Sequence, residues 1–456
     1  MRLRTTLACV ALLASASAQA AGRPRYGGEL RVAHDGPPEV AEPALADTPL
    51  EATLLGLLSQ PVCRATRDGG VAPALAQELA RPTPQSLRLT LPGAASANAL
   101  ARAWMRLAST EGASPYRALL HPLRGEARQL TPRGATLELT LAYPWPDLER
   151  ALCHPALAPP TSASALGPFT AAGRGALEAQ TAWPQGRPYL DRLLLTATDQ
   201  RGLSRLWSAR QVQVELGVAS ETDTTAGTPL YATFLAFSPR RLPPDFRQAV
   251  ESAIDREDLT RLFVQAPAQP MPHLLPPALL DAPARPRPSA PPARPARTVT
   301  LRYDASVEDQ RAVAERIQVR LHERGYTVAL EALPRAALRA RWAQGDFELM
   351  LHALLLPPVP GPALAVVLDA GGRKDLLGVE LPVIGSLPSS AARDARARER
   401  ALALAASVPL VPLYVQGLGM RFAPEVGGVM MDAQGLPWLD GLHVLPTEGT
   451  AMGGRP

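Results

Sequence analysis

The sequence has 456 residues, of which 46% are hydrophobic, and a chain of this length is expected to form two or three domains rather than a single core. Its formal charge of +5 comes from 47 basic and 42 acidic residues scattered along the chain, and Lys374 is the only lysine. No basic helix face is interleaved with aromatic residues, which argues against nucleic-acid binding.

The N-terminus has the pattern of a secretory signal. Arg2 and Arg4 precede an apolar run at residues 7–14, and small residues follow as far as Ala20. We therefore predict a signal peptide over residues 1–20, cleaved after about Ala20, and an exported mature protein.

Removal of that signal leaves two cysteines, Cys63 and Cys153, which is an even count in an oxidising compartment. A disulfide between them is one interpretation, and two separate buried thiols are the other. The sequence leaves both open, because the length of chain between two cysteines does not fix the distance between them.

In the first half of the chain, residue patterns predict a mixture of strands and helices. Alternating apolar residues predict strands at 27–36, 87–91, 136–145, 189–199 and 229–239. Apolar residues at helical spacing predict helices at 49–62, 95–110 and 245–263, the last being the clearest helix in the chain.

The second half begins with a change of composition, because residues 281–297 are rich in Pro and Arg and are predicted to form a linker or exposed loop. The order strand, helix, strand, helix, strand is then predicted at 298–304, 308–326, 327–333, 334–346 and 347–356. Such alternation is typical of a parallel α/β sheet. Two short strands are predicted within 407–422.

Residues 349–368 contain no Asp, Glu, Lys or Arg, which raises the question of a membrane span. Four prolines between 357 and 362, together with Gly361, argue against it, because each proline removes a backbone donor that a lipid-exposed helix needs. We predict a buried strand that ends in a rigid loop.

No catalytic motif is present. The sequence has no Gly-x-Ser-x-Gly elbow, no phosphate-binding glycine loop with lysine and no Cys-x-x-Cys, and its seven histidines lack the i, i+4 spacing of a helical metal site. We therefore expect neither an enzyme nor a cofactor or metal.

Several segments occur in an order that resembles the extracellular solute-binding proteins of family 5, the peptide-, dipeptide- and nickel-binding components of ABC importers. They begin with YGGELRVAHDGPPEVAEPALA, LLGLLSQPVCRATRDGGVAPALAQEL and ALGPF, the last with Ala165 in place of the usual first glycine. RPYLDRLLL and FRQAVESAIDREDL follow. The resemblance spans most of residues 26–440 and depends on the order of these segments rather than on any one of them.

The resemblance implies an α/β, two-lobed periplasmic-binding-protein-like fold of class II, with an extra subdomain on the first lobe. The first lobe would comprise residues 21–60, 159–244 and 409–456, the subdomain 61–158, and the second lobe 245–408. A ligand would be enclosed between the lobes of a periplasmic protein, which we expect to be a monomer.

One departure from the family concerns the loop after the strand in FELMLHALLL. The family places an acidic, tryptophan-containing loop there, whose Asp pairs with the ligand's α-amino group in peptide binders, whereas this chain has LPPVPGP. A buried ammonium without a partner costs several kcal/mol. Peptide capture through this loop is therefore not expected.

The predicted cleft residues are aromatic or lie in or near this loop, and ordinary core packing is the alternative for each of them. Tyr414 aligns approximately with a ligand-contacting position of the family, and aromatic side chains supply large apolar contacts. The full set is Tyr231, Phe234, Tyr414, Pro357, Pro358, Val359, Pro360, Trp207 and Asp369.

The function implied by the resemblance is that of an exported substrate-binding protein, which encloses a peptide or other small solute and delivers it to an inner-membrane ABC permease. A nickel complex is less favoured, because no histidine cluster supports it. The alternatives are a degenerate homologue that acts as a non-transport scaffold or sensor partner and, more remotely, a secreted hydrolase.

Overall fold

The computed structural model describes residues 24–36, 42–109, 114–123, 129–161, 166–219, 224–238, 240–242, 244–265, 267–284 and 298–446. The predicted signal peptide, Ala165 and most of the predicted linker lie outside these ranges. Within them, no helix is long and apolar enough to cross a membrane.

The strands are numbered in chain order. They are β1 Glu29–Asp35, β2 Cys63–Ala65, β3 Val71–Pro73, β4 Glu78–Thr83, β5 Ser86–Thr90, β6 Leu130–Arg133, β7 Thr136–Thr140, β8 Phe169–Gly173, β9 Ala176–Ala179, β10 Arg192–Thr198, β11 Val214–Leu216, β12 Thr225–Ala226, β13 Tyr231–Phe237, β14 Ala268–Pro270, β15 Thr298–Asp304, β16 Thr327–Leu333, β17 Leu349–Leu355, β18 Leu410–Gln416, β19 Gly419–Phe422, β20 Val426–Gly427 and β21 His443–Val444.

The α-helices are numbered in the same way. They are α1 Pro49–Leu58, α2 Ala94–Ala108, α3 Leu148–Leu152, α4 Gln200–Ser208, α5 Pro244–Ala253, α6 Arg256–Phe263, α7 Glu308–His322, α8 Arg335–Gln344, α9 Pro360–Ala370, α10 Lys374–Gly385 and α11 Ser390–Leu404.

The first large sheet has the strand order β12-β19-β11-β1-β10-β9-β8. Its central strand β1 runs parallel to β10 and β11, and the outer pairings are antiparallel. Alternate residues of β1, such as Leu30 and Val32, are buried against the core, which is the pattern that the sequence predicted for this strand.

The second large sheet has the order β14-β18-β13-β17-β15-β16. Strands β15, β16 and β17 are parallel, and α7 and α8 form the crossovers between them. This confirms the predicted α/β alternation over residues 298–356.

Strands β13 and β18 belong to the second sheet, although the predicted boundaries at residues 244 and 409 assigned both to the first lobe. Strand β13 pairs with β17 on one side and with β18 on the other. A strand next to a lobe boundary has the same residue pattern as a strand inside a lobe. The sequence therefore does not show at which residues the chain passes from one lobe to the other. We propose lobe boundaries between β12 and β13 and between β18 and β19.

The segment predicted as one helix over 245–263 is two helices, α5 and α6. The break falls at Ile254 and Asp255, where the Asp255 side chain accepts hydrogen bonds from the backbone N–H groups of Glu257 and Asp258, both at 3.1 Å. Asp at this position is a strong N-cap, and it starts a new helix.

The apolar run at 349–368 contains a strand followed by a helix. Strand β17 is buried as predicted, but the predicted rigid loop is short, and α9 begins at Pro360. Pro360 and Pro362 are tolerated because the first turn of a helix has no intrahelical acceptors for its N–H groups. Every residue of α9 is buried.

A subdomain built around the sheet β4-β5-β7-β6 is covered by α2. Its core contains the fully buried Trp104, Tyr116 and Trp145. At the edge of the subdomain, Cys63 and Cys153 form a disulfide with their Cα atoms 4.5 Å apart, so the structure has the bridge rather than two separate thiols.

The subdomain also contacts the second lobe. The Tyr116 hydroxyl accepts a hydrogen bond from the Leu355 N–H at 3.0 Å. Burial lowers the pKa of His154 to about 4, so its ring is neutral at physiological pH and donates from Nε2 to the Leu355 carbonyl at 2.9 Å. The apolar core is continuous from the subdomain to α9.

Asp432 makes the stability of the fold depend on pH. Its carboxylate is 7% exposed, and burial raises its pKa from 3.8 to about 7, although the Leu436 N–H donates to it. As the pH rises from about 4 to 7, the unfolded chain loses this proton before the folded one, so the contribution of Asp432 to stability is lost over that window.

We expect Asp432→Asn to raise the free energy of unfolding at pH 8 by roughly 2–4 kcal/mol, at 1.36 kcal/mol per unit of pKa shift, and to have little effect at pH 4. Asn keeps the acceptor for Leu436 and removes the charge. Urea unfolding at the two pH values measures this. An equal gain at both would contradict the assigned cause.

Candidate ligand cleft between the lobes

A cavity of about 330 Å³ lies between the two large sheets. The first lobe contributes the turn after β1, the segment after β11 and the start of α1 to the wall of the cavity. The second lobe contributes the start of β13, the loop after β15 and the start of α8. The carboxyl ends of parallel strands from both sheets therefore face this space, which is where open α/β sheets bind ligands.

Three acidic residues give the cavity a negative wall. Asp35 comes from the first lobe, and Glu308 and Asp309 come from the second. Burial raises the pKa of both Asp35 and Asp309, repulsion from Glu308 raises both further, and the Asp35 charge adds to the shift of Asp309. A positive charge placed between the lobes would relieve this repulsion.

Neutral donors hold two of these carboxylates in place. Asp309 accepts hydrogen bonds from the Gln265 N–H and the Gln416 side-chain amide, both at 3.1 Å. Gln200 forms a hydrogen bond with Asp35. These contacts hold the carboxylates in place, and because the donors are neutral they supply no opposite charge.

Arg335 ties the lobes together at the cleft wall. It binds Asp304 of its own lobe with Nε 2.6 Å from Oδ2, and its Nη1 contacts Glu51 of α1 in the first lobe. Both carboxylates are almost completely buried. Glu51 also completes a capping box with Thr48 at the start of α1, which sets its side-chain direction.

A second ion pair crosses between the lobes one helical turn further along α8. Arg339 Nε lies 2.8 Å from Asp47 Oδ2. Burial raises the pKa of Asp47 to about 6, although the Arg339 charge opposes the shift. The two pairs, Glu51 with Arg335 and Asp47 with Arg339, hold the lobes in a closed arrangement.

We expect Glu51→Gln to weaken closure. The Arg335 guanidinium would lose one charged partner and keep Asp304, and a hydrogen bond to a charged group contributes about 1.5–3 kcal/mol. That corresponds to roughly ten- to hundredfold weaker binding of a ligand that requires closed lobes. Gln retains the capping function at this position, so α1 should be intact.

Small-angle X-ray scattering of the ligand-free protein and a binding titration measure the effect of Glu51→Gln. Glu315→Gln is the matched control, because Glu315 lies on the exposed face of α7. An unchanged radius of gyration and unchanged affinity in Glu51→Gln would show that the pair does not hold the lobes closed.

Of the four aromatic residues predicted for the cleft, Tyr231 lines the cavity, whereas Phe234, Tyr414 and Trp207 do not. Tyr231 is the first residue of β13, and burial raises the pKa of its hydroxyl. Tyr414 is 1% exposed and hydrogen-bonded to Thr233 within the sheet, and Phe234 is completely buried. Core packing, the alternative for each residue, describes Tyr414 and Phe234.

The remaining predicted residues also lie away from this cavity. The segment Pro357–Pro360 leads from β17 into α9, and its Val359 is completely buried. Trp207 lies on α4 with the Arg421 guanidinium 4.4 Å from its ring centroid. Asp369, near the end of α9, pairs with Arg117 at 2.9 Å.

The sequence-based prediction missed Asp35, Glu308, Asp309, Glu51 and Arg335. A signal for the first three was present, because Asp35 lies near the end of one predicted strand and Glu308 and Asp309 follow another after a short turn, at the edge where parallel strands end. Among the described residues, no group of three or more His, Cys, Asp or Glu side chains could hold a metal ion.

No family model and no curated protein matches this sequence. Among solved structures, the Escherichia coli murein tripeptide binding protein MppA matches 93% of this chain and 99% of its own, with a TM-score of 0.75 and 15% identity. DppA from Helicobacter pylori, an ABC transporter-associated periplasmic binding protein in complex with the peptide STSA, matches 92% of this chain and 99% of its own, with a TM-score of 0.73 and 14% identity.

The unliganded open form of MppA matches 92% of this chain and 98% of its own at 15% identity, but with a lower TM-score of 0.61. At these identities the likeness shows the fold, and it confirms the predicted fold class. The chain therefore has the two-lobed fold of the periplasmic binding proteins, and the solved structures that it resembles include a murein tripeptide binding protein and an ABC transporter-associated periplasmic binding protein in complex with a peptide.

Proposed function

We propose that this chain is an exported substrate-binding protein of an ABC import system, which encloses a peptide or other small solute between its lobes and delivers it to an inner-membrane permease. The observation that carries the proposal is the cavity at the carboxyl ends of both sheets, with Asp35 on one lobe and Asp309 on the other. Hinge closure of two lobes around a ligand is the mechanism by which periplasmic binding proteins enclose their ligands.

The charge of the cleft favours a ligand with a positive group. Glu51 is paired with Arg335, whereas the groups that donate to Asp35 and Asp309 are neutral amides. An α-amino group could pair with these carboxylates, so the acidic loop that is missing after β17 is not required. The volume of about 330 Å³ lies at the low end of ligand pockets, about 300–1,000 Å³, which favours a short peptide or one small solute.

Thermal denaturation of the mature protein against short peptides tests the proposal, because a ligand that binds only the folded state raises the melting temperature. Each peptide is used with a free and with an acetylated N-terminus. We expect the free form to give the larger shift, and Asp309→Asn to weaken its binding about tenfold. Glu315→Gln, on the outer face of the same helix, should bind normally.

Two outcomes would reject parts of the proposal. A shift with a non-peptide solute but with no peptide would exclude the peptide assignment and keep the binding function. No shift with any solute would exclude the binding function and favour the scaffold or sensor partner. Permease and ATPase genes beside this one would support the transport role.

A further inference from the structure

A second and larger cavity, of about 670 Å³, lies at the opposite end of the second sheet from the cleft. We call it the far cavity. Phe237 and Leu410 line it, whereas Tyr231 and Gln416, at the other ends of the same two strands, line the cleft. Seven residues of extended strand, roughly 20 Å, separate the two cavities. A ligand in one cavity therefore does not touch the other.

The floor of the far cavity is apolar and largely aromatic. Phe237 and Phe347 are each 8% exposed, and Leu242 is buried beside them. Trp342 completes the floor, with its ring stacked on His352 at 5.0 Å and its Nε1 donating to the Ala370 carbonyl at 3.2 Å. Because these contacts fix the ring, the floor is formed before any ligand arrives.

The rim of the far cavity is cationic. Among the described residues that line it, five are basic and one is acidic: Arg117, Arg240, Arg247, Arg373, Lys374 and Asp369. The single acid, Asp369, is paired with Arg117 at 2.9 Å. The only lysine of the whole chain lies at this rim.

Two of the basic residues hold the wall together. Arg247 pairs with Glu251 at 2.8 Å and donates to the carbonyl of Leu410 at 3.2 Å. Arg373 pairs with Asp375 at 2.7 Å and donates to the carbonyl of Ser407. The other cations at the opening are Arg240, which is exposed, and Lys374, which is half-buried.

We propose that the far cavity binds an organic anion with a flat apolar part, such as an aromatic carboxylate. The apolar part would lie on the Phe237, Phe347 and Trp342 floor, and the anionic group would contact Arg240 and Lys374. Such an amphiphilic anion gains from both surfaces, through burial of apolar area and through charge-assisted hydrogen bonds. A simple inorganic anion would use only the rim.

Lys374 supplies a specific probe, because it carries the only side-chain amine in the protein. Reductive methylation with ¹³C-formaldehyde gives one lysine signal, which is separate from that of the α-amino group. The signal is followed during titration of the full mature chain with naphthalene-2-carboxylate, with the neutral naphthalene-2-carboxamide and with inorganic phosphate. Calorimetry of unlabelled protein gives the affinities.

We expect the carboxylate to shift the Lys374 signal and to bind at least tenfold more tightly than either the carboxamide or phosphate. An Arg240→Gln/Lys374→Gln variant should weaken its binding at least tenfold by calorimetry. Arg88→Gln, an exposed arginine on the subdomain, is the matched control for lost positive charge and should bind normally. The cleft variant Asp309→Asn should also bind normally.

Three results would overturn the proposal. No binding of the carboxylate to the wild-type protein at millimolar concentration excludes the site. Equal binding of phosphate and carboxylate shows a simple anion surface without a role for the floor. Unchanged affinity in Arg240→Gln/Lys374→Gln, or loss of binding in Asp309→Asn, places the ligand elsewhere.

Discussion

Replacement of Arg393 by methionine is expected to lower the free energy of unfolding by about 3–5 kcal/mol. Arg393 on α11 makes two hydrogen bonds to the Asp147 carboxylate of the subdomain, at 2.9 and 3.1 Å. The two side chains are only 8% and 2% exposed. Methionine fills a similar volume, so the loss would come from the uncompensated buried charge on Asp147 rather than from a cavity.

Urea unfolding with and without Asp147→Asn measures this coupling. The double variant Asp147→Asn/Arg393→Met leaves no buried charge and should recover part of the loss. Arg88→Met is the matched control, because Arg88 pairs with Glu138 at the surface and such pairs contribute about 0–1 kcal/mol. Equal losses in Arg393→Met and Arg88→Met would show that the buried pair is not important for stability.

Removal of the disulfide is expected to destabilise the protein by about 4 kcal/mol. Cys63 and Cys153 are separated by 90 residues, and a cross-link that closes a loop of this length restricts the unfolded chain by about that amount. The loop comprises almost the whole subdomain, so the double variant Cys63→Ala/Cys153→Ala should lose protection from hydrogen exchange first in β4 to β7.

Reduction of the wild-type protein should reproduce the loss of stability in the Cys63→Ala/Cys153→Ala variant, and that variant should be insensitive to the reductant. Urea curves with and without dithiothreitol provide the comparison. Two reactive thiols in the oxidised native protein, or identical curves under both conditions, would contradict the presence of the bridge.

The sequence predicted the elements of the second lobe well, because strands 298–304, 327–333 and 349–355 and the helices between them have strong and different periodicities. The prediction from the sequence was wrong at two places where a single residue determines where a helix begins. Asp255 divides a continuous helical pattern by capping α6, and Pro360 starts a helix in a segment predicted as a loop. In both places a single residue that favours the start of a helix overrides the periodicity.

The cleft was harder to predict than the fold. Tyr231, Phe234 and Tyr414 all lie on strands of the second sheet, which is largely buried on both faces, so an aromatic residue there gives no indication of the side on which a ligand lies. The negative wall comes from Asp35 on the first lobe and from Glu308 and Asp309 on the second lobe. These residues are far apart in sequence and come together only when the two lobes close.

The subdomain touches both lobes, and each contact includes an ion pair. Arg64 pairs with Asp440 of the first lobe in a partly exposed bridge, whereas the contact with the second lobe includes the completely buried α9 and the Asp147–Arg393 pair. Opening of the cleft moves the two lobes apart, so one of these contacts has to break when the ligand is released.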